Sequence, residues 1–301
     1  QEEIARAERL ARSIYCRPGG LPAGPASPRF SDLILPSRAD IEAAAECIRP
    51  IVPPTPQICW PLLGARTGAE VWVKHENHTP IGAFKIRGGL VYMEALRRRE
   101  PSIRRVVAAT RGNHGQSVAL AARGVGLTAT IYVPHGNSVE KNAAMRAYGA
   151  ELIEHGDDFQ EALEYAQGQA AHPDTHLMPS FDPLLVSGVA TYGLEFLSAV
   201  AGLDTVYVPI GLGSGICGVI AAREALGLTT EIVGVVAHNA AALSFERGEP
   251  VSTNSADTLA DGMAVRVPDG HAVAIINAGV ERIVRITEDE IAHAMRATFT
   301  D

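Results

Sequence analysis

The chain has 301 residues, enough for about two domains and for a core that needs no disulfide or metal to stabilise it. Hydrophobic residues make up 47% and charged residues 20%, which is typical of a globular protein and excludes a disordered chain. The formal net charge of −8 argues against nucleic acid as a partner, because a polyanion is bound through an excess of cations.

The cysteines and the apolar segments indicate where such a chain works. Cys16, Cys47, Cys59 and Cys217 lie far apart, so the sequence predicts neither a zinc site nor a redox pair. No apolar stretch reaches the roughly 20 residues that span a bilayer, and the first residues are charged where a signal peptide would be apolar. We therefore expect a cytoplasmic protein with no membrane partner.

The alternation of apolar and amphipathic segments predicts the fold class. Residues 1–38 combine a short polar helix with a stretch rich in Pro, Gly and Ser, which indicates an arm outside the core. From Asp40 onward the order of segments is typical of an α/β protein with parallel strands. The predicted strands are 70–74, 105–109, 129–133, 151–154, 205–210 and 231–236. The predicted helices are 83–99, 114–123, 139–148, 159–170, 183–200 and 215–226.

Three loops before predicted helices are the candidate sites, because open parallel sheets bind ligands beyond the carboxyl ends of their strands. They are residues 77–82, 110–115 and 211–215. The last one continues into a run with four glycines between 211 and 218. A helix N-terminus presents unpartnered N–H groups and glycine leaves no Cβ in the way, so this loop predicts an anion cradle in which Ser214 adds a hydroxyl donor. A tight turn without a ligand is the alternative.

The same loop also satisfies the G-x-G-x-x-G fingerprint of dinucleotide-binding proteins, at Gly213, Gly215 and Gly218. That fingerprint needs an acidic residue at the end of the next strand, whereas the strand at 231–236 is followed by Ala, His and Asn. The pattern favours a single phosphate over a dinucleotide. A nicotinamide-dependent oxidoreductase remains the alternative that rests on this fingerprint.

Lys85 lies near the first turn of a predicted helix, with apolar neighbours on either side. Most lysines lie on solvated surfaces, and that is one interpretation of this residue. Desolvation beside the positive end of a helix would instead lower its pKa and favour the neutral amine, which attacks an aldehyde carbon. Together with a phosphate cradle, such a lysine indicates a phosphorylated aldehyde as cofactor.

Residues 112–115 open another predicted helix and can present N–H groups to a carboxylate. The Asn113 amide could bond a phenolic oxygen, although helix capping by the same side chain is equally compatible with the sequence. His75 and His78 are three residues apart but have no third ligand at a sensible spacing, so we expect no metal there.

These segments together resemble one known family. Residues 73–77 read VKHEN and residues 82–88 read GAFKIRG, similar to the pyridoxal phosphate (PLP) lysine motif of the threonine dehydratase and serine racemase family, which are PLP enzymes of fold type II. Residues 110–116, TRGNHGQ, resemble the family's substrate-carboxylate loop. The resemblance covers about residues 40 to 300, and it implies an α/β fold with two open, twisted, mostly parallel sheets flanked by helices.

The resemblance also implies roles for individual residues. Lys85 would join the cofactor covalently and act as the catalytic residue, with Phe84 against the cofactor ring and Asn113 on its phenolic oxygen. The cofactor phosphate would be held by Gly211, Leu212, Gly213, Ser214 and Gly215. The substrate carboxylate would be held by the loop of Thr110, Arg111, Gly112, Asn113 and His114.

The family further implies an arrangement of domains and subunits. We expect a large PLP-binding domain of residues 39–104 and 185–301, and a small mobile domain of residues 105–184 that closes over the substrate. The family suggests a homodimer.

Four features of this sequence depart from the family pattern. Leu212 and Ser214 interrupt what is commonly a run of glycines, and Arg111 stands where racemases carry a proton-donating serine. The arginine makes racemisation doubtful and could bind a second acidic group of the substrate or form a structural salt bridge. No acidic residue lies between 237 and 242, where metal-dependent members hold a cation, so we expect no metal. The strand that faces the pyridine nitrogen is expected beyond Asp301.

The sequence as a whole therefore predicts a PLP-dependent ammonia-lyase, a threonine or serine dehydratase that converts a β-hydroxy amino acid into a 2-oxo acid and ammonia by α,β-elimination. Alternatives within the family are a dehydratase of another hydroxy amino acid, such as hydroxyaspartate or a hydroxyectoine-derived compound, and a PLP enzyme of β-replacement. A non-catalytic binding protein of the same fold is a further alternative.

Overall fold

The computed structural model describes residues 35–237, 242–253 and 256–301. The arm predicted for residues 1–38 therefore lies almost entirely outside the described residues, as does its short helix. At the end of this segment Ser37 begins the first described helix through a capping box, in which the Asp40 N–H donates to Ser37 Oγ at 3.2 Å and the Ser37 N–H donates to Asp40 Oδ2 at 2.9 Å. The main body of the chain thus begins with a defined helix start at Arg38.

Helices and strands alternate along the described chain. The helices are α1 (Arg38–Ile48), α2 (Pro61–Thr67), α3 (Lys85–Arg99), α4 (Asn113–Gly124), α5 (Val139–Ala147), α6 (Phe159–Gln169), α7 (Pro183–Ala199), α8 (Ser214–Leu226), α9 (Ala242–Arg247), α10 (Gly270–Gly279) and α11 (Glu288–Thr300). The strands are β1 (Gln57–Cys59), β2 (Trp72–Lys74), β3 (Arg105–Ala109), β4 (Thr128–Val133), β5 (Glu151–Glu154), β6 (Thr175–Leu177), β7 (Thr205–Pro209), β8 (Glu231–Ala237) and β9 (Arg282–Ile286). Single-turn 3₁₀ helices cover Glu76–His78 and Asp261–Met263.

The strands form two parallel sheets, which confirms the predicted α/β class. One sheet has the order β5-β4-β3-β6 and the other the order β7-β8-β9, and every pair in both is parallel. A two-stranded antiparallel sheet of β1 and β2 was not predicted, because β1 is only three residues long and follows a proline-rich segment. Each parallel sheet is covered by helices, since connecting parallel strands requires crossovers.

Two hydrophobic cores accompany the two parallel sheets. The larger core packs β3 and β4 against α3 and α4, with Ile86, Val106 and Ile131 fully buried. The second core packs β7 and β8 against α8 and α10, around Ile220 and Ile232. Strands β3, β4 and β8 are buried over most of their length, as the apolar runs predicted, whereas β7 buries only alternate residues and exposes Tyr207.

Helices α3 and α7 cross in close contact, and this contact places the reactive end of α3. A Cβ atom on Gly188 of α7 would lie 2.4 Å from the Arg87 carbonyl oxygen, and one on Gly88 would lie 2.7 Å from the Leu185 carbonyl oxygen. Only glycine at both positions lets the two backbones approach this closely. The N-termini of α4 and α8 follow the carboxyl ends of β3 and β7, so the fold presents helix starts at the sheet edges. No helix among the described residues is long and apolar enough to cross a membrane.

Candidate active site

Lys85 is the first residue of α3, and its side chain reaches the start of α8. The partly buried Nζ atom donates to Ser214 Oγ at 2.8 Å, and Ser214 itself is only 2% exposed. The turn before Lys85 is fixed by Thr79, whose Oγ1 accepts from the Ala83 N–H at 2.9 Å. The helix start that follows the loop at 77–82 and the loop at 211–215 therefore meet at the Lys85 amine.

Burial lowers the pKa of Lys85 from 10.5 to about 8. The chain contains three lysines in total, and the other two are ion-paired: Lys74 with Glu195 at 2.6 Å, and Lys141 with Asp261. No carboxylate pairs with Lys85 among the residues that the structure describes. Lys85 is therefore the lysine that most readily supplies a neutral amine near neutral pH.

The aromatic ring of Phe84 lies beneath this amine. Lys85 Nζ is 5.4 Å from the Phe84 ring centroid, and a Cβ atom on Gly215 would lie 3.1 Å from Phe84 Cζ. The Tyr192 ring packs against Phe84 at 5.9 Å, and its hydroxyl donates to the Gly215 carbonyl at 3.0 Å. Phe84 is thus wedged between the lysine and the glycine-rich loop.

The glycine-rich loop is shaped by close approaches that exclude side chains. Gly213 has a φ of 118°, and a Cβ atom there would lie 2.8 Å from Ala272 Cβ. A Cβ atom on Gly211 would lie 2.2 Å from the Gly262 carbonyl oxygen. No side chain caps the α8 N-terminus, so its first N–H groups have no intrahelical acceptor and can bind an anion. Leu212 is half-buried beside them.

The loop after β3 forms the second helix start at the site. The Gly112 N–H donates to Thr110 Oγ1 at 3.1 Å, which fixes the backbone ahead of α4. A Cβ atom on Gly115 would lie 2.5 Å from Thr110 Cγ2, so this turn also requires glycine. Asn113 is exposed at the first turn of α4 and no side chain caps this helix, so the capping role considered for Asn113 is wrong.

His114 presents an unpartnered ring nitrogen beside the lysine. Its Nε2 atom is buried and makes no hydrogen bond with any described residue. Burial, together with the positive charge of Lys85, lowers the pKa of His114 to about 3. The imidazole is therefore neutral, and it retains one position at which a ligand can donate or accept a hydrogen bond.

Two cationic side chains, Arg111 and Lys141, lie at the same loop. Burial lowers the pKa of Lys141, and the positive charge of the exposed Arg111 lowers it further. A Cβ atom on Gly112 would lie 2.9 Å from Lys141 Cδ, so the lysine side chain runs along the loop backbone. Lys141 is ion-paired with Asp261, which comes from a segment 120 residues later.

A buried ion cluster holds α3 in place behind Lys85. Arg87 is completely buried, and its guanidinium donates to Glu76 at 2.8 Å and to Glu195 at 2.7 Å. Lys74 also donates to Glu195, and Thr55 donates to Glu76 at 2.6 Å. Because every charge has an opposite partner, the cluster fixes the first turn of α3 relative to β2 and α7.

The histidines considered as metal ligands have other contacts. His75 Nε2 accepts from Trp60 Nε1 at 3.0 Å, and the His75 and His78 rings meet edge to face at 5.6 Å. Among the described residues, no group of three or more His, Cys, Asp or Glu side chains could hold a metal ion.

Comparison with known proteins identifies the family. The model of the family described as pyridoxal-phosphate dependent enzyme matches residues 48–301. The chain therefore belongs to the pyridoxal-phosphate dependent enzymes. Its cofactor is PLP, so the alternative of a nicotinamide oxidoreductase is wrong.

Relatives and solved structures of PLP-dependent enzymes agree with this family and with fold type II. The chain is 34% identical to the L-threonine ammonia-lyase of Thermotoga maritima over 259 residues, which cover 85% of this chain and 64% of that protein. It superposes on a T.th. threonine deaminase with a TM-score of 0.82 at 31% identity, covering 88% of this chain and 87% of the other. Maize serine racemase superposes with a TM-score of 0.83 at 27% identity, covering 88% and 81%. The chain thus spans less than two thirds of the length of the Thermotoga relative.

Three observations show that the residues present fit PLP. An amine without an ion pair is available for the aldehyde at Lys85, and the uncapped α8 N-terminus is available for the phosphate. The buried Nε2 of His114 lacks a partner among the described residues, as expected of an atom that faces a bound group.

The structure brings only part of the predicted site into direct contact. Lys85, Phe84, Ser214 and Gly215 touch one another, and His114 lies within reach of the lysine's charge. Asn113 and Arg111 lie on the same loop as His114, and both are exposed.

Sequence reasoning gave no role to several residues around the site. They are Thr79, Lys141, Tyr192 and Asp261. Local sequence patterns do not indicate these residues, because most of their contacts join segments that are far apart in the chain.

Proposed function

We propose that this PLP-dependent enzyme is an ammonia-lyase that converts a β-hydroxy amino acid, such as threonine or serine, into a 2-oxo acid and ammonia. The observation that carries the proposal is the Lys85 amine, which is partly buried, free of a carboxylate partner among the described residues, and hydrogen-bonded at 2.8 Å to the glycine-rich loop. The Thermotoga maritima relative is named for the same reaction on threonine.

In this proposal the cofactor lies between α3, α4 and α8. Lys85 would bind its aldehyde, Phe84 would support its ring, and Asn113 would bond its phenolic oxygen. The backbone from Gly211 to Gly215, with the Ser214 hydroxyl, would hold its phosphate, because the α8 N-terminus offers unpartnered N–H groups. When bound, PLP supplies an electron sink for the electron pair that remains when the substrate loses its α-proton.

Lys85 would act as the general base at the substrate α-carbon. A base works best when its pKa lies near the operating pH, and burial brings the pKa of Lys85 to about 8. Ser214 Oγ accepts the Nζ hydrogen bond, so it orients the amine toward the loop that would hold the cofactor.

The loop from Thr110 to His114 would bind the substrate carboxylate. The uncapped N-terminus of α4 offers backbone N–H groups and a positive helix dipole to an anion. The neutral His114 adds no charge here, and its free Nε2 can donate to or accept from the bound molecule. Carboxylate binding here would hold the substrate close to Lys85, whose charge acts on His114 of the same loop.

The reaction balances without an external oxidant or reductant. The α-proton leaves to Lys85, the β-hydroxyl leaves as water after taking up a proton, and hydrolysis of the resulting enamine returns one water and releases ammonia. The net change is a β-hydroxy amino acid to a 2-oxo acid plus ammonia.

We also propose that residues 105–184 form a mobile domain that closes over the substrate, in a cytoplasmic homodimer. Two contacts join this segment to the rest of the chain and would break if it opened: Tyr148 donates to the Pro80 carbonyl at 2.5 Å, and Arg266 donates to Asp158 at 3.2 Å. Crystals with and without substrate should differ in the orientation of this segment, and identical orientations contradict the movement. Sedimentation analysis of the purified enzyme tests the dimer.

The function is tested by ammonia release from a panel of hydroxy amino acids, with Lys85→Ala beside Arg98→Gln. Arg98 is exposed far from the site on the last turn of α3, so its variant controls for expression and net charge. We expect release by the wild type and by Arg98→Gln, and loss of at least about 1,000-fold for Lys85→Ala because base and cofactor anchor disappear together.

Borohydride reduction followed by peptide mapping tests the anchor itself. With three lysines in the chain, the map has only Lys74, Lys85 and Lys141 to distinguish. Cofactor mass on the peptide of Lys85 is the expected result. Mass on Lys74 or Lys141, or turnover that survives Lys85→Ala, contradicts the proposed function. Release of a replacement product instead of ammonia would favour the β-replacement alternative.

A further inference from the structure

Arg111 is a cation at the proposed carboxylate loop for which the described part of the protein supplies no counter-ion. Its side chain is exposed and makes no hydrogen bond or ion pair with any residue that the structure describes. The loop around it is fixed, because Thr110 is buried and accepts the Gly112 N–H at 3.1 Å. An arginine in a fixed loop that has no protein carboxylate keeps its guanidinium available for an anionic ligand.

Lys141 adds a second positive charge at the same place. A Cβ atom on Gly112 would lie 3.3 Å from Lys141 Nζ, so the ammonium group lies against the backbone of the residue that follows Arg111. The first turn of α5, which carries Lys141, adds the positive end of a helix dipole. Asp261, itself exposed, is the carboxylate that pairs with Lys141. Of the two cations, only Lys141 has a carboxylate partner among the described residues.

The α-carboxylate of an amino acid does not require this excess of charge. The α4 N-terminus already offers it backbone N–H groups, and His114 is neutral. A second carboxylate on the substrate would balance the remaining charge, and an arginine can bind it with two parallel hydrogen bonds. Arg111 belongs to the loop that would hold the α-carboxylate, and its side chain is exposed.

We propose that Arg111, with Lys141 beside it, binds a second carboxylate of the substrate, so that the enzyme prefers 2-amino-3-hydroxy dicarboxylic acids over serine and threonine. This inference rests on the proposed function, and it specifies the substrate class of the same site. The chemistry stays balanced: the diacid loses water, regains it on hydrolysis, and yields a 2-oxo diacid plus ammonia. Lys141 acts as a positioning residue that sets the local charge.

The test measures ammonia release by the holoenzyme from 3-hydroxyaspartate, serine and threonine. We expect kcat/KM of the wild type to be at least about tenfold higher for 3-hydroxyaspartate than for serine, because a charge-assisted bidentate contact is added. Arg111→Gln should lower that ratio at least about tenfold, mainly through KM, and Arg111→Lys should retain part of it. Arg98→Gln removes the same charge at an exposed site on α3 and should leave the ratio as in the wild type.

A measurement on the wild type alone guards against a variant that fails to fold. Aspartate and alanine are compared as competitive inhibitors of serine turnover, and we expect aspartate to bind at least about tenfold more tightly. Added salt should narrow that difference, because charge recognition is screened.

The outcomes separate this inference from the proposed function. Serine turnover without a preference for the diacid, or equal inhibition by aspartate and alanine, overturns the inference and leaves the ammonia-lyase proposal in place. An equal loss on all substrates in Arg111→Gln also overturns it, since Arg111 would then serve the shared α-carboxylate. Ammonia release from none of the substrates overturns both.

Discussion

Replacing Lys85 by methionine should make the protein more stable after its cofactor has been removed, and the gain should shrink as the pH rises. Burial lowers the pKa of Lys85 from 10.5 to about 8, so between these values the unfolded chain binds more protons than the folded one. Stability therefore rises with pH across this window, and it is lowest below pH 8, where the buried amine must carry its charge.

The magnitude follows from the two pKa values. Relative to a lysine that is neutral in both states, the ionisation of Lys85 lowers the free energy of unfolding by about 3 kcal/mol at pH 7 and by about 2 kcal/mol at pH 9. Methionine is similar in size, lacks the charge, and adds only a packing difference that does not depend on pH. The difference in stability between Lys85→Met and the wild type should therefore fall by about 1.3 kcal/mol from pH 7 to pH 9.

Urea unfolding of the cofactor-free proteins at several pH values measures this difference. Lys74→Met is the matched control, because Lys74 is also buried but donates to Glu195 at 2.6 Å. Its replacement leaves part of that carboxylate without a partner, so we expect destabilisation. A stability difference for Lys85→Met that stays constant from pH 7 to pH 9 would show that the amine titrates as an exposed lysine does, and the argument for a neutral base would then be wrong.

Three further substitutions test the surroundings of the amine. Gly213→Ala should lower PLP affinity at least about tenfold and cost about 2–4 kcal/mol of stability, because φ is 118° and the new Cβ meets Ala272. Visible absorbance titration measures the affinity, and thermal melting measures the stability. The control is Gly124→Ala, at an open helical position, which should leave stability unchanged or slightly higher. Arg87→Met should lose about 3–5 kcal/mol in urea unfolding, because Glu76 loses its cation and Glu195 keeps only Lys74. An unchanged midpoint contradicts the ion cluster. Ser214→Ala should weaken PLP binding about tenfold while global stability changes little, and unaltered binding would remove Ser214 from the phosphate loop.

The regular elements of the fold were predictable because their signals are local. The predicted helix at 159–170 corresponds to α6, whose N-cap Asp158 accepts from the Glu161 N–H at 3.0 Å. The predicted strand at 105–109 matches β3 at both ends, because a run of Val and Ala is bounded by Arg and by a polar loop. In both cases capping chemistry or continuous burial determines the ends of the element.

Short elements without such signals were missed. Strand β6 has three residues, Thr175–Leu177, and only pairing with β3 makes it a strand. Strand β9, Arg282–Ile286, carries two arginines among its apolar residues at the edge of its sheet and was too polar to stand out. Their formation depends on a neighbour supplied by the fold, which is why sequence pattern alone could not indicate them.

The candidate site likewise combines residues that sequence patterns indicate with contacts that only the tertiary structure creates. Lys85 and the glycine-rich loop could be found from the sequence, since a lysine at a helix start and four closely spaced glycines have direct chemical meanings. The contact between Lys141 and Asp261 joins positions 120 residues apart, and the ion partners of Arg87 lie on two other elements. Such pairings require the tertiary structure, because charge type does not specify which of many carboxylates will be near.

We expect the ion cluster at Arg87 to set the stage of folding at which this enzyme binds its cofactor. Its carboxylates come from Glu76 and Glu195, which are more than a hundred residues apart. The two ends of this segment must come together before both carboxylates can pair with Arg87 in the first turn of α3. PLP would then bind only after the whole chain has folded, and not as soon as the structure around Lys85 has formed. When the chain refolds with PLP present from the start, the visible absorbance of bound PLP should appear together with the final recovery of native fluorescence. Absorbance that appears before this recovery would contradict the expected order.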